Sequence, residues 1–345
     1  MSASTTSRAE SAERPRSLFL RLQHLFVRLG VLPFLLLIAI VIFASLSSRF
    51  YGWENIKNVL RQSSYLTMVA MGQMLALLTG GFDLSVGIIV ALTSVVGALT
   101  MVSMYAAFPD AVLLCITVGM LAGIGAGALI GILNGAGVSL GISPFMMTLG
   151  MAQVGFGISL YLTGGVPVEG MPSAFGNVLG YGQLFGQIPA PVIVTCLLIG
   201  VMYVVLNWTR LGRYFYAIGG NVKAATLSGI NTRLYLFLAY VMCGTITAIS
   251  GIALAARLGT GEANIGTTMP LESIAACVIG GVSLRGGTGR LLFVVLGALF
   301  IGIVQNGMNL ARINSYLQIV AIGILLIFAV AADLLRQRLV AKLRD

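Results

Sequence analysis

One short stretch of this sequence places a carboxylate and a hydroxyl among glycines, between two apolar runs. It is GGFDLSVG at residues 80–87, and Asp83 is its ionisable residue. A charged group at membrane depth is costly and often marks a solute pathway or a proton relay. An aspartate before a helix also makes a good N-cap, because its oxygen accepts from N–H groups that lipid cannot satisfy. We expect Asp83 to hold a helix junction at a pathway wall, with proton transfer as the alternative.

A second acidic residue and a second glycine junction occur late in the chain. Glu272 follows Pro270 and opens an apolar run, where its charge would complement the dipole of a helix start. The stretch GGVSLRGG at residues 280–287 is a weaker copy of the first junction. The two copies predict an internal repeat of two halves around one pathway. The candidate pathway and junction residues are Gly80, Gly81, Asp83, Ser85, Gly87, Gly280, Gly281 and Glu272.

Residues that could form an enzyme site are scarce. None of the lysines in the sequence completes the phosphate-binding loop G-x-x-x-x-G-K-[ST]. The single histidine, His24, lies in a basic N-terminal arm, and the four cysteines show no C-x-x-C spacing. We therefore predict no catalytic, cofactor-binding or metal site, and a chain that does not hydrolyse ATP by itself.

The composition is that of a membrane protein. Hydrophobic residues make up 58% of the chain and charged residues only 9%, whereas soluble domains carry about 25% charged residues. Since a span needs roughly 20 apolar residues, the chain predicts an all-α polytopic protein of about ten transmembrane helices. The 44 glycines suit close helix packing in lipid, above all in the run of residues 119–135.

The charged residues predict the orientation of the chain. The net charge is +10, and most arginines and lysines fall in segments that face the cytoplasm when both termini lie inside, as membrane insertion favours. Orientation explains this charge better than nucleic-acid binding. The expected organisation is a basic cytoplasmic arm (residues 1–28), a transmembrane domain (29–335) and a basic cytoplasmic tail (336–345). Residues 163–191, rich in proline and glycine, predict a lid outside the bilayer.

The longest polar insert, residues 207–233, predicts a cytoplasmic coupling loop. Its stretch 222–227 is short and half apolar after a Gly-Gly-Asn turn, which suits a surface helix that docks on a partner, and Tyr214, Phe215 and Tyr216 are expected to be exposed. The alternative is an ordinary solvated connection. The candidate docking residues are Arg213, Gly219, Gly220, Asn221, Ala224, Ala225, Ser228 and Gly229.

Four motifs, in this order along the chain, resemble those of the permease subunits of bacterial ABC importers for simple sugars, the ribose, xylose and arabinose group. They are GQMLALLTGGFDLSVG at 72–87, SPFMMTLGMAQVGFGISLYLTGG at 143–165, GRYFYAIGGNVKAATLSGIN at 212–231 and ESIAACVIGGVSLRGGTGR at 272–290. The likeness covers nearly all of the chain after the N-terminal arm. Phe82 stands where isoleucine is usual, Lys223 where an acid is frequent, and Pro270 with Glu272 where Glu-Leu-Asp is usual.

This resemblance implies a homodimeric permease in the bacterial inner membrane. It would receive sugar from a periplasmic binding protein and dock on an ATPase subunit through residues 207–233, which would open the pathway by alternating access. Two other functions remain open from the residues alone. One is a proton-coupled secondary transporter that uses Asp83 or Glu272, and the other is a passive channel.

Overall fold

The computed structural model describes residues 32–342. The predicted arm at residues 1–28 and the last three residues of the tail lie outside this range. The described chain is nearly all helical: α1 (Leu32–Leu46), α2 (Trp53–Leu78), α3 (Val86–Ala107), α4 (Val112–Ser139), α5 (Pro144–Thr163), α6 (Ser173–Phe175), α7 (Ala190–Trp208), α8 (Arg210–Gly220), α9 (Val222–Leu227), α10 (Thr232–Leu258), α11 (Met269–Ile279), α12 (Leu291–Leu310) and α13 (Ser315–Lys342).

Six helices are long and apolar enough to cross a membrane, namely α3, α4, α5, α7, α10 and α12. The structure thus agrees with an all-helical, multi-pass membrane protein. Helix α11 is only 11 residues long, because Gly280 and Gly281 end it. At about 1.5 Å per residue α11 covers roughly half of a hydrocarbon core that is about 30 Å thick.

The second helix is the centre of the fold. Helix α2 runs without a break from Trp53 to Leu78. Nearly every residue from Ser63 to Leu78 is buried. The helices α10, α11 and α12 surround it: Ser250 donates to the carbonyl of Tyr65 (2.9 Å), and Cys277 to that of Ala70 (3.3 Å). Helix α2 is therefore the core to which the other elements attach.

Helix α4 packs through glycines, as its sequence predicts. Glycines at every fourth position form one buried face that lies between α3 and α10. A Cβ on Gly131 would lie 2.7 Å from the carbonyl oxygen of Tyr240, and one on Gly123 equally close to that of Thr93. In lipid, where helices gain nothing from burying apolar surface against each other, such close approach supplies the packing energy.

Both glycine junctions end a helix in the same way. Gly80 (φ 88°) and Gly281 (φ 79°) adopt the left-handed conformation, and in each case the next residue donates back to the carbonyl five positions earlier. This is the Schellman motif. In this motif Gly80 corresponds to Gly281, whereas the two glycine stretches of the sequence align Gly80 with Gly280. Because Gly141 and Gly229 end α4 and α9 in the same way, the motif alone does not establish a repeat.

The insert 207–233 is more ordered than a loop. The surface helix expected at residues 222–227 is present as α9, and α8 precedes it. Thr209 and Asn221 cap the two helices by accepting from Gly212 and Ala224 (3.4 and 3.0 Å). The expected exposure of three aromatic side chains is wrong for Phe215, which is fully buried because α8 turns that face toward the core.

The stretch predicted to be a lid contains α6, a π-helical turn (Gly176–Gly180) and a hairpin of β1 (Gln183–Leu184) with β2 (Ile188–Pro189). Three contacts tie it to the helices. The Gln187 side chain accepts from Trp53 at the start of α2 (2.7 Å), and Tyr181 donates to the carbonyl of Arg257 (2.8 Å). Val168 forms an antiparallel bridge with Gly261.

Candidate functional site

Asp83 is fully buried at the first junction. One of its carboxylate oxygens accepts from the backbone N–H (2.8 Å) and the hydroxyl (2.6 Å) of Ser85. Asn134 of α4 donates to the other oxygen (3.4 Å) and to the Ser85 hydroxyl (2.8 Å). The expected N-cap is therefore wrong by two residues: Ser85 is the N-cap of α3, and Asp83 holds Ser85 in place from the preceding turn.

The backbone around Asp83 is held from a second side. With its amide oxygen facing the N–H of Asp83, Gln73 accepts from that group (3.1 Å) and donates to the Asp83 carbonyl (2.9 Å). Thr148 accepts from the N–H of Leu84 (3.1 Å), and Tyr240 donates to the carbonyl of Phe82 (3.4 Å). Four helices thus satisfy the polar groups of a non-helical turn. In this conformation the carboxylate has no exposed surface for a solute.

Glu272 lies in a separate polar cluster, nearer the start of α2. It is 7% exposed and accepts from Gln305 of α12 (3.0 Å), which itself accepts from Gln62 of α2 (3.4 Å). Beside them, Asn55 and Asn306 exchange two amide hydrogen bonds of 2.9 Å. The structure does not bring Glu272 together with Asp83. Its hydrogen bonds join α11, α12 and α2.

The two glycine junctions and the insert at residues 207–233 meet at one point. The N–H of Gly287 donates to the carbonyl of Leu78 (3.0 Å). A Cβ built on Gly286 would lie 2.8 Å from the nitrogen of Gly80, and one on Gly219 would overlap the Leu78 carbonyl and the Gly287 nitrogen. We call this set of backbone contacts, among Gly80, Gly219, Gly220, Gly286 and Gly287, the glycine interlock.

The interlock links three segments that are far apart in sequence. Gly219 and Gly220 end α8, Gly80 begins the first junction, and Gly286 and Gly287 end the second, both with positive φ (89° and 73°). Nearby, Tyr216 of α8 donates to the carbonyl of Gly289 (3.0 Å). Because the contacts are between backbones, with no side chain to yield, a displacement of α8 must move both junctions or break the contacts.

The predicted docking residues divide into two groups. Gly219 lies inside the interlock, and Ala225 is buried under α9. The exposed ones are Arg213, Gly220, Asn221, Ala224, Ser228 and Gly229. Alongside them α9 exposes the apolar side chain of Leu227, which is 89% accessible. The exposed group forms a surface that a partner can reach.

Some residues that hold the site were not identified from the sequence. Gln73 and Asn134 lie in the middle of apolar helices, where an isolated amide is itself a signal, since lipid offers it no partner. The sequence indicates Gly286 and Gly287 only as part of the second glycine stretch, residues 280–287. No local pattern indicates that they contact α8.

Comparisons with known proteins agree with this architecture. The family model described as "Branched-chain amino acid transport system / permease component" matches residues 55–330. The ribose import permease protein RbsC of Escherichia coli (strain K12) is 36% identical over 302 residues, which are 86% of this chain and 91% of that protein. No solved structure matches the chain.

Two other relatives are similar over the same extent. The D-allose transport system permease protein AlsC of Escherichia coli (strain K12) is 35% identical over 90% of this chain and 91% of its own length. The galactose/methyl galactoside import permease protein MglC of the same strain is 37% identical over 88% of this chain and 92% of its own length. The likeness therefore includes both junctions and the coupling insert.

The interlock predicts a contrast between two adjacent glycines. Gly219→Ala places a methyl group against backbone atoms of Leu78 and Gly287, whereas Gly220→Ala meets nothing within 4 Å. Overpacking of this kind costs about 1–3 kcal/mol, so Gly219→Ala should reduce solute uptake by about tenfold or more, and Gly220→Ala should leave it near wild type. The measurement is the uptake per amount of folded protein, together with the thermal midpoint of each variant. Equal uptake by the two variants would contradict the interlock.

Proposed function

This chain belongs to the family of branched-chain amino acid transport system permease components, and we propose that it is the membrane-spanning subunit of an ATP-driven importer for a simple sugar. The family description mentions amino acids, but the relatives that cover nearly the whole chain are named for ribose, D-allose and galactose. The sugar assignment follows these relatives. A sugar also suits this protein, because a pathway for sugars would need only hydroxyl and amide groups.

The glycine interlock is the observation that supports the importer mechanism most directly. An importer of this kind must convert a motion at its cytoplasmic face into a change in its transmembrane pathway. The exposed surface of α8 and α9 offers Arg213, Asn221 and the protruding Leu227 to a partner. Between Arg213 and Asn221, at the end of α8, Gly219 contacts both junctions. We take the partner to be an ATPase subunit, which supplies the nucleotide chemistry for which the sequence has no phosphate-binding loop.

The proposed topology has ten crossings, with both termini in the cytoplasm of a bacterial inner membrane. The six long apolar helices and helices α1, α2 and α13 make nine of these crossings. Helix α11, together with residues 259–268 before it, makes the tenth. The outer surface then contains the lid, residues 163–191, where a periplasmic binding protein would deliver the sugar. Two copies of the chain would enclose the pathway, and the two junctions would be related elements of an internal repeat.

Alternating access follows from these assignments. Closure of the ATPase subunits would displace α8 and α9, and the interlock would pass this displacement to Gly80 and Gly287 and so to the ends of α2 and α11. Asp83 keeps the start of α3 in a fixed geometry during the motion, since it is hydrogen bonded to Ser85 and Asn134. The sugar would be released inward, without contact to this carboxylate.

The importer is tested with purified components in vesicles. The chain should co-purify with an ATPase subunit, and uptake of sugar should require that subunit, the binding protein and ATP, and should persist when an ionophore dissipates the proton gradient. Uptake by the chain alone that stops with the ionophore would instead establish the proton-coupled transporter. Passive uptake without nucleotide or gradient would establish the channel.

Two substitutions of Asp83 separate its structural role from proton transfer. Asp83→Asn keeps an acceptor for Ser85 and adds a donor for the buried amide oxygen of Asn134, which has no hydrogen-bond partner within residues 32–342. Asp83→Ala leaves buried donors unpaired, at about 1–3 kcal/mol. We expect Asp83→Asn to retain uptake within a few-fold of wild type and Asp83→Ala to lower the thermal midpoint and the yield of folded protein. Loss of uptake in a stably folded Asp83→Asn protein would favour the proton relay.

A further inference from the structure

The chain between α10 and α11 is not helical, yet it does not lie outside the helices. After Leu258 it passes along α3: a Cβ on Gly261 would lie 2.5 Å from that of Ala98, and Gly266 lies against the Gly87 carbonyl and Val90. The N–H of Glu262 donates to the Ser94 hydroxyl (3.2 Å), and that hydroxyl to the Glu262 carbonyl (3.3 Å). We call residues 259–268 the descending segment.

The contacts with α3 give the depth of this segment. From Ala98 to Gly87, α3 rises 11 residues, or about 16 Å at 1.5 Å per residue. Helix α3 ends at Ala107 on the same side as Leu258. The segment therefore first contacts α3 well below Ala107 and then follows it to the N-terminus of α3. Helix α3 is one of the six candidate spans, so most of the descending segment lies at membrane depth.

Non-helical backbone at membrane depth is tolerated where it is buried in protein or lines water, because lipid cannot satisfy its polar groups. Part of the descending segment is buried, including Gly261 and Ala263. Asn264, Thr267 and Thr268 are exposed. Within residues 32–342, the side chains of Asn264 and Thr267 form no hydrogen bond. Leu121 of α4, an exposed position at comparable depth, is apolar.

We propose that Asn264 and Thr267 form part of the wall of a water-filled solute pathway and donate to and accept from sugar hydroxyl groups there. An amide and a hydroxyl are suited to this task, since each can act both as donor and as acceptor. Leu271, which is 56% exposed and follows in the first turn of α11, adds an apolar surface for the C–H groups of a sugar ring. The identity of the solute rests on the proposed function, whereas the water-filled wall rests on the geometry alone.

Cysteine accessibility tests the wall. In a Cys196→Ser background, which removes the one exposed cysteine among the four, Asn264→Cys and Thr267→Cys should react with a membrane-impermeant thiol reagent at least tenfold faster than Leu121→Cys. The assay uses the assembled protein in vesicles. Rates equal to the Leu121→Cys control would show that the segment faces lipid and would overturn the proposal. Protection that persists in every nucleotide state of the assembly would show a contact with a second copy of the chain and would also overturn it.

Binding of sugar to the wall is tested separately. Thr267→Ala removes one hydroxyl from the pathway and should raise the sugar concentration for half-maximal uptake by about threefold to tenfold, since a neutral hydrogen bond contributes about 0.5–1.5 kcal/mol. Thr117→Ala, which removes a hydroxyl bonded within α4 to the carbonyl of Leu113, is the matched control and should have no effect. Equal effects of the two variants would overturn the sugar contact. If no uptake occurs with any ATPase, the proposed function fails, but fast labelling would still establish the water-filled wall.

Discussion

A backbone that leaves the helical conformation inside a membrane must find protein partners for its N–H and C=O groups, and the rest of this structure depends on that constraint. At the first junction the partners are side chains: Gln73, Thr148 and Tyr240 each satisfy a backbone group of the turn, and Asp83 satisfies Ser85. At the second junction they are mostly backbone groups, and the N–H of Gly287 donates to the carbonyl of Leu78. Glycine makes the second solution available, because two backbones approach closely only where side chains are absent.

The same constraint links the exposed surface of α8 and α9 to the membrane interior. Helices α8 and α9 expose residues that a partner can reach, while Gly219 at the end of α8 contacts both junctions. Contacts between backbones are stiff, since they contain no rotatable side chain. The descending segment, which packs along α3, presents Asn264 and Thr267. A motion that enters at α8 therefore has a continuous path through the junctions to the start of α3 and to α11, which flank this segment.

Much of the fold is predictable from local patterns. The apolar runs indicate the long helices, the Gly-Gly-Asn turn predicts the start of α9, and the glycines of α4 predict its packing face. Tertiary contacts are not predictable in this way. Gly80, Gly219 and Gly286 lie in three distant segments, and no local pattern indicates that they meet. Residues 257–270 lack an apolar run and so suggest an outer loop, but Gly261 and Gly266 let this chain pack against α3.

We expect α8, α9 and both junctions to move as one body. Distances between spin labels at Ser228, directly after α9, and at Arg285 beside the interlock, both exposed, test this in the importer assembly with and without nucleotide. A third label at Asn264 supplies the reference for motion. We expect the distance from Ser228 to Arg285 to stay constant between the two states while the distance from Ser228 to Asn264 changes. A change in the distance from Ser228 to Arg285 as large as that to Asn264 would contradict it.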